Sequence, residues 1–343
     1  MSTQKLVTLA EAIATHVRDG QCVALEGFTH LIPFAAGHEI IRQRRRDLHL
    51  VRMTPDLVYD QMIGMSCASR LTFSWGGNPG VGSLHRLRDA VEHGWPGPLE
   101  LDEHTHAGVA AAYCAGAARL PFATLRGYLG TDLADANPRI RSIECPFTGE
   151  RLAAVPALNP DVTVLHAQRA DRKGNVALHG IVGAQREAAF AATTLVVTVE
   201  EVVEELPPAM NGLVLPHWVV GAVAHCPGGA YPSYVQDHYA RDNEFYRRWD
   251  AISRDRATFL AWMDEHVLGC RDHAAFLARP RGSSGTVASA SSASACRVRP
   301  ATSRDSRTRR TSCWSTSPAR SARGRRCCRS RSATVNSPTP PPA

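Results

Sequence analysis

Residues 281–343 contain no Leu, Ile, Phe, Tyr, Met, Lys, Glu, Gln or His. A segment without those side chains cannot bury enough apolar surface to offset its chain entropy, so it is expected to stay disordered. It holds instead fifteen Ser, thirteen Arg and one acid, Asp305, a local charge of +12. The whole 343-residue chain carries +7, which leaves −5 for residues 1–280. A basic nucleic-acid face on the folded part therefore loses its main support. The Arg, Ser, Ala, Pro, Thr, Gly and Cys vocabulary of the tail is that of GC-rich coding DNA read in a shifted frame. We expect a domain over 1–280 followed by out-of-frame sequence; a native basic tail that binds nucleic acid is the competing reading.

Residues 1–280 lack any CxxC pair. Their six cysteines, Cys22, Cys67, Cys114, Cys145, Cys226 and Cys270, are scattered in small or apolar surroundings, the usage of reduced thiols in a cytoplasmic protein. No apolar run approaches the ~18 residues of a membrane span, and no charged-plus-apolar leader precedes the first helical pattern. Phosphate-binding motifs are missing too. The loop 76–82 is rich in glycine, but Ser83, Leu84 and His85 follow it where GxGxxG needs a further Gly, and Gly-Lys-Ser/Thr does not occur. Asp102-Glu103-His104-Thr105-His106 has the letters of a metal site without a matching Cys/His pair at zinc spacing. It reads better as the acid-rich first turn of an alanine-rich helix over 107–118.

What is present alternates between strands and helices. Thr8 and Glu11 have the spacing of a capping box, ahead of a stripe of Leu9, Ala10, Ile13 and Val17. Short apolar strands are predicted at 23–25, 48–53, 71–75, 162–167, 194–199 and 218–223, with helices at 35–45, 57–64 and 182–191 between them. That order predicts an α/β fold with an open, mostly parallel sheet flanked by helices. Two further helices, over 239–249 and 256–267, carry aromatic stripes suited to core or intersubunit contact. The run Arg42, Arg44, Arg45, Arg46 reads first as favourable charge at a helix C-terminus and second as a phosphate contact. The organising stretch is Asp19-Gly20-Gln21-Cys22-Val23-Ala24-Leu25-Glu26-Gly27-Phe28. It is a turn, a buried strand and a loop where Gly27 admits close backbone approach, at the kind of strand end where open α/β sheets bind ligands.

This stretch, with Pro33 after it, resembles the signature of the A-type subunits of family I CoA-transferases. The resemblance is greatest to glutaconate CoA-transferase, with the 3-oxoadipate and acetoacetate enzymes as relatives. It is carried further by His166-Ala167-Gln168 ahead of Asp171 and Gly174-Asn175-Val176, and by the segment from His225 through Tyr231-Pro232-Ser233. It spans residues 5–278 as an ordered set of segments. One position departs: Glu26 stands where the family usually has the first Gly of a pair.

The resemblance implies the CoA-transferase fold, no permanently bound cofactor, a CoA thioester as substrate with a carboxylic acid as acceptor, and a B-type CoA-transferase subunit as partner. It implies a ping-pong cycle through a glutamyl-CoA thioester whose glutamate sits on that B-type partner in a Ser-Glu-Asn-Gly or Glu-x-Gly setting. Ser-Glu-Asn-Gly is absent here, and Glu92-His93-Gly94 ends a helical pattern and reads as a helix stop. No catalytic nucleophile and no metal are therefore expected in this chain. The candidates for the substrate cleft are Glu26, Gly27, Phe28, His30, Gly77, Asn78, Gly80, His166 and Gln168. Read residue by residue, alternatives stay open: Glu26 as a solvated loop carboxylate, loop 76–82 as a structural turn, His166 as a core histidine. Hydrolysis of a cyclic-ketone CoA ester by a related two-subunit enzyme is the second reaction class.

Overall fold

The computed structural model describes residues 5–207 and 212–279; the expectation for residues 281–343 lies outside them. The strands are β1 (Leu6–Val7), β2 (Cys22–Leu25), β3 (Leu48–Val51), β4 (Ala68–Phe73), β5 (Glu100–Glu103), β6 (Phe122–Leu125) and β7 (Arg141–Glu144). After them come β8 (Arg151–Pro156), β9 (Val162–Asp171), β10 (Val176–His179), β11 (Thr194–Val203), β12 (Gly212–Leu215) and β13 (Val220–His225). The helices are α1 (Leu9–His16), α2 (Phe34–Arg42), α3 (Leu57–Gly64), α4 (His85–His93) and α5 (His106–Ala117). They continue with α6 (Asp132–Ala136), α7 (Gln185–Ala191), α8 (Asn243–Arg254), α9 (Arg256–Met263) and α10 (His273–Ala278), a π turn following α9 at Asp264–Leu268.

Eight strands form a parallel sheet in the order β1-β13-β11-β9-β2-β3-β4-β5, and β10 and β12 extend it as antiparallel additions beside β9. The chain first builds outward from β2 to β5, then returns to β2's other side and builds outward again through β9, β11 and β13. The order thus reverses between β2 and β9, the switch point that leaves a crevice at the carboxyl ends of the two strands. Period-2 alternation divides the core between the faces. Val23 and Leu25 pack with α1, α2 and α3 in a large apolar cluster that also holds Trp249 and Phe259. Ala24 faces Val109 and Tyr113 of α5, and Ala188 of α7 with the preceding Ala184. Strands covered on both faces read as the continuous apolar runs seen in the sequence.

The capping box of Thr8 and Glu11 forms as expected, and α4 ends at Gly94 with φ 66°. The reading of 102–106 needs correction. Asp102 and Glu103 close strand β5, Thr105 caps α5, and the first turn of that helix holds no acid. Asp102 is instead a buried node. Burial alone would raise its pKa, but hydrogen bonds from His104, Asn137 and Thr72 outweigh it and hold the carboxyl below its ordinary value. Arg70 Nη2 adds an ion pair at 2.9 Å. Beyond the expected strands lie β1, β5, the β10–β12 additions and a separate antiparallel sheet in the order β6-β8-β7.

Helix α4 starts at Leu84, which offers no side-chain cap. Its orphan N–H groups are satisfied from α3: Asp60 Oδ1 accepts from Arg86 N at 2.8 Å and Leu87 N at 2.9 Å, while Oδ2 accepts from Trp249 Nε1 at 3.0 Å. One buried carboxylate therefore joins α3, α4 and α8. Burial, only partly offset by these donors, pushes its pKa up to about 6. The folded state thus holds the proton more tightly than the unfolded chain, and this group's stabilisation fades as pH rises from about 4 to about 6. Asp60→Asn should cost about 1–3 kcal/mol in thermal or denaturant unfolding, by setting an amide N–H against the indole N–H. The deficit relative to the parent should narrow as pH rises across that window.

Candidate active site

At the switch point between β2 and β9 sits Glu26, the residue after β2, whose N–H donates to Val164 O at 3.2 Å. Only 3% of Glu26 is exposed. Its Oε1 accepts from the Tyr113 hydroxyl at 2.9 Å and from Met53 N–H at 3.1 Å, so it ties the ends of β2 and β3 to α5. Burial raises its pKa, opposed by Arg52, Tyr113 and Met53. The arrangement departs from a solvated loop carboxylate. Next to it, a Cβ on Gly27 would lie 2.6 Å from Leu31 O and 2.8 Å from His30 O, so no larger residue fits. The Gly27 carbonyl accepts from Arg52 Nη2 at 2.7 Å, and the same buried guanidinium pairs with Asp56 at 3.0 Å.

The loop that follows is strained on both sides of His30, with Thr29 at φ 60° and Leu31 at φ 54°. His30 itself is buried. Its Nε2 accepts from Gln236 N at 3.0 Å, its Nδ1 lies 3.4 Å from Ile181 O, and burial pushes its pKa down to about 4. Phe28 is half-buried and meets the His106 ring edge-on at 6.5 Å. His106 opens α5 in an exposed position, and its Nδ1 is 3.3 Å from Ser74 Oγ, whose hydroxyl donates to Met53 O at 2.6 Å. Glu26, Phe28, Met53, Ser74 and His106 thus form one ridge along the carboxyl ends of β2 to β5. The sequence pattern points only to the first two. Met53, Ser74 and Tyr113 carry no local motif, and His106 stands out in the sequence only through the letters of a metal site.

His166 lies elsewhere. Period-2 alternation sets it on the opposite face of the sheet from Glu26, fully buried, with Nε2 2.7 Å from Glu200 Oε1 and Nδ1 2.9 Å from Thr198 Oγ1. Glu200 also accepts from the Tyr239 hydroxyl at 2.7 Å and from Gly228 N at 2.8 Å. Burial would raise the Glu200 pKa, but His166, Gly228 and Tyr239 together hold it below its usual value. A Cβ on Gly229 would come 2.9 Å from the His166 ring, so glycine is required there. The clamped loop then supports the strained one: Gly229 O accepts from Ala35 N, Tyr234 O from Leu31 N, and Ser233 Oγ donates to Thr29 O. His166 and Glu200 therefore hold the site from beneath.

The remaining expected residues do not join the ridge. Gln168 spends both ends of its amide on the backbone of His179, at 3.1 and 3.2 Å, stapling β10 to β9. Asn78 donates to Tyr246 O at 2.8 Å, and Arg241 donates to Pro79 O at 2.8 Å, so the glycine-rich loop is fixed against α8. Within that loop Gly77 lies under the Trp75 ring, and Gly80 has φ 77° with open space around it.

The sequence profile of the coenzyme A transferase family matches residues 6–225. The chain belongs to that family. It is 64% identical over 275 residues to the A-type subunit of 3-oxoadipate CoA-transferase from Pseudomonas knackmussii, an alignment covering 80% of this chain and 98% of that one. It is 31% identical over 295 residues to the A-type subunit of glutaconate CoA-transferase from Acidaminococcus fermentans, covering 80% and 91%. The crystal structure of glutaconate coenzyme A-transferase from that organism superposes with a TM-score of 0.75 over 80% of this chain and 92% of the other. The cholesterol ring-cleaving hydrolase IpdA subunit of Rhodococcus jostii is more distant, at 26% identity over 78% and 93%. The chain is thus an A-type CoA-transferase subunit, one part of a heteromeric enzyme in a family that uses CoA thioester substrates. Among the described residues no helix is long and apolar enough to cross a membrane.

In this CoA-transferase chain the adjacent acids Glu200 and Glu201 provide a direct test of the clamp. Glu201 makes a half-exposed pair with Arg169 at 2.7 Å, of the kind worth about 0–1 kcal/mol. Glu200→Ala should cost about 3–5 kcal/mol, because it strands a buried histidine, hydroxyl and N–H, whereas Glu201→Ala should stay within about 1 kcal/mol. The Glu200 contribution is present above the ordinary glutamate pKa and is lost as pH falls through the lowered folded value. Denaturant midpoints for the two variants across acid pH check both statements.

Proposed function

We propose that this protein, joined to a B-type partner, moves CoA from an acyl-CoA donor to 3-oxoadipate or a closely similar 3-oxo dicarboxylic acid. The observation that carries the reading is the 64% identity over nearly the full length of the corresponding 3-oxoadipate CoA-transferase chain. The chemistry is covalent and balanced. A glutamate carboxylate on the B-type partner attacks the donor thioester to give a mixed anhydride and CoA thiolate. The thiolate then attacks the glutamyl carbonyl, forming the glutamyl-CoA thioester and releasing the donor acid. The acceptor carboxylate repeats the sequence in reverse. A carboxylate is a weak nucleophile, so this cycle depends on positioning and on donors aimed at the developing oxyanion.

The role of this chain in that cycle is to supply the second wall of the cleft. Glu26 is unsuited to attack, since its Oε1 already accepts two hydrogen bonds and its carboxyl is buried. It serves instead to hold the ends of β2, β3 and α5 in register, with Gly27 and Phe28 presenting the backbone and ring that the acyl group meets. The hydrolase reading draws support only from the distant IpdA similarity.

Co-expression with a B-type partner, followed by assay of acyl exchange against 3-oxoadipate, glutaconate and a cyclic-ketone CoA ester, tests the assignment. Exchange with 3-oxoadipate is the expected result, and net hydrolysis without an acceptor acid would overturn it. Intact-mass measurement after incubation with acyl-CoA should place the CoA adduct on the B-type partner and none on this chain. Glu26→Ala in the heteromer should lower kcat/KM by about tenfold to a hundredfold through misplacement of the cleft wall, while the adduct still forms on the partner.

A further inference from the structure

A dicarboxylic acid that reacts through one carboxylate carries a second, remote anion, and an enzyme selective for such acids has to hold it. Under the transferase reading above, on which this inference rests, a side chain at the cleft wall is needed for that task.

The ridge at the carboxyl ends of β2 to β5 offers one group with the right chemistry. Hydrogen bonds run in a continuous chain from its floor to its crest. Tyr113 and Met53 N–H donate to Glu26, Ser74 donates to Met53 O, and His106 stands on Ser74. Ser74 has only one hydroxyl proton, and at 2.6 Å it is directed to the Met53 carbonyl. The contact at 3.3 Å must then be His106 Nδ1–H donating to Ser74 Oγ. Three consequences follow. Ser74 is not activated as a nucleophile, because its proton points away from the imidazole. The His106 tautomer is fixed with its proton on Nδ1. Its Nε2 makes no hydrogen bond to any described residue, on a residue that is exposed and backed edge-on by Phe28.

With Nδ1 engaged by Ser74, the ring turns Nε2 outward, and in an imidazolium that atom is the N–H donor a carboxylate pairs with. Glu26 does not compete for that N–H: it is buried beneath the ridge, and its Oε1 is occupied by Tyr113 and Met53 N–H. We propose that His106, oriented by Ser74 and braced by Phe28, is the subsite that binds the remote carboxylate of the dicarboxylic acyl group, and that Glu26 is a positioning residue acting through Met53 and Ser74. The position of Glu26 gains a reason: a glycine there would leave Met53 N–H without its acceptor and the ridge without its floor.

The test compares two acceptors of equal chain length in the reconstituted heteromer, 3-oxoadipate and 3-oxohexanoate, which lacks the remote carboxylate. His106→Ala should reduce the preference for the dicarboxylic acid, as a ratio of kcat/KM values, by about tenfold, chiefly through its KM. His106→Gln, which keeps an N–H donor, should recover part of the preference. Ser74→Ala should shift the same ratio in the same direction by less. Because His106 is exposed, its variants should fold, and their unfolding midpoints verify this. An unchanged ratio in His106→Ala, or an equal loss with both acids, would overturn the subsite while leaving the transferase assignment standing. A wild-type heteromer that transfers CoA to neither acid would overturn both.

Discussion

A carboxylate taken out of water has to be given donors, and the way Glu26 is given them shapes the edge of the sheet at the carboxyl ends of β2 and β3. One donor comes from β3 and one from α5, while the acid itself sits at the end of β2. Three elements that meet at a switch point are thus locked at the level where the crevice opens. In an open α/β sheet the strand ends are otherwise joined only through mobile loops. Here the lock fixes Met53, and Met53 in turn fixes Ser74 and the helix start beyond it.

The two faces of the sheet divide the work. On the α5 and α7 face the polar groups run outward, from buried Tyr113 to exposed His106. On the other face they are closed in: His166, Glu200 and Tyr239 satisfy one another and aim their remaining capacity at Gly228 and Ala230. That loop then pairs with the residues after Gly27. The strained backbone at Thr29 and Leu31 is therefore over-determined from below, as a strained loop must be to persist. The geometry separates a partly open row of polar groups from a closed frame that holds the neighbouring loop still.

Much of this is legible in the residue pattern. The 57–64 helix, the capping box at Thr8, the helix stop at Gly94 and the buried strands around β2 and β9 follow from local chemistry, and local chemistry is what a sequence displays. Gly27 is recognisable as a glycine just past a short apolar run, and Glu26 as the departure from the family's glycine pair. Tyr113 is not, since its value lies in reaching an acid 87 residues away. Asp102 misleads for the same reason: its letters match a helix start, but Arg70, Thr72, His104 and Asn137 converge on it only after β4 and β5 have paired. Gln168 illustrates the converse. The family segment marks it out, yet its amide is consumed by a backbone staple that no motif encodes.

The cap on α4 has a further consequence for how the chain comes to be folded. Its first turn is closed by Asp60 on the preceding helix, and the same carboxylate waits for the indole of Trp249. Asp60 and Trp249 lie 189 residues apart, so during synthesis the acid precedes its third donor by more than half the chain. The node is completed only once α8 has left the ribosome. The C-terminal helices thus act as a clasp on the seam between α3 and α4, supplying from α8 the donor that the first four helices lack.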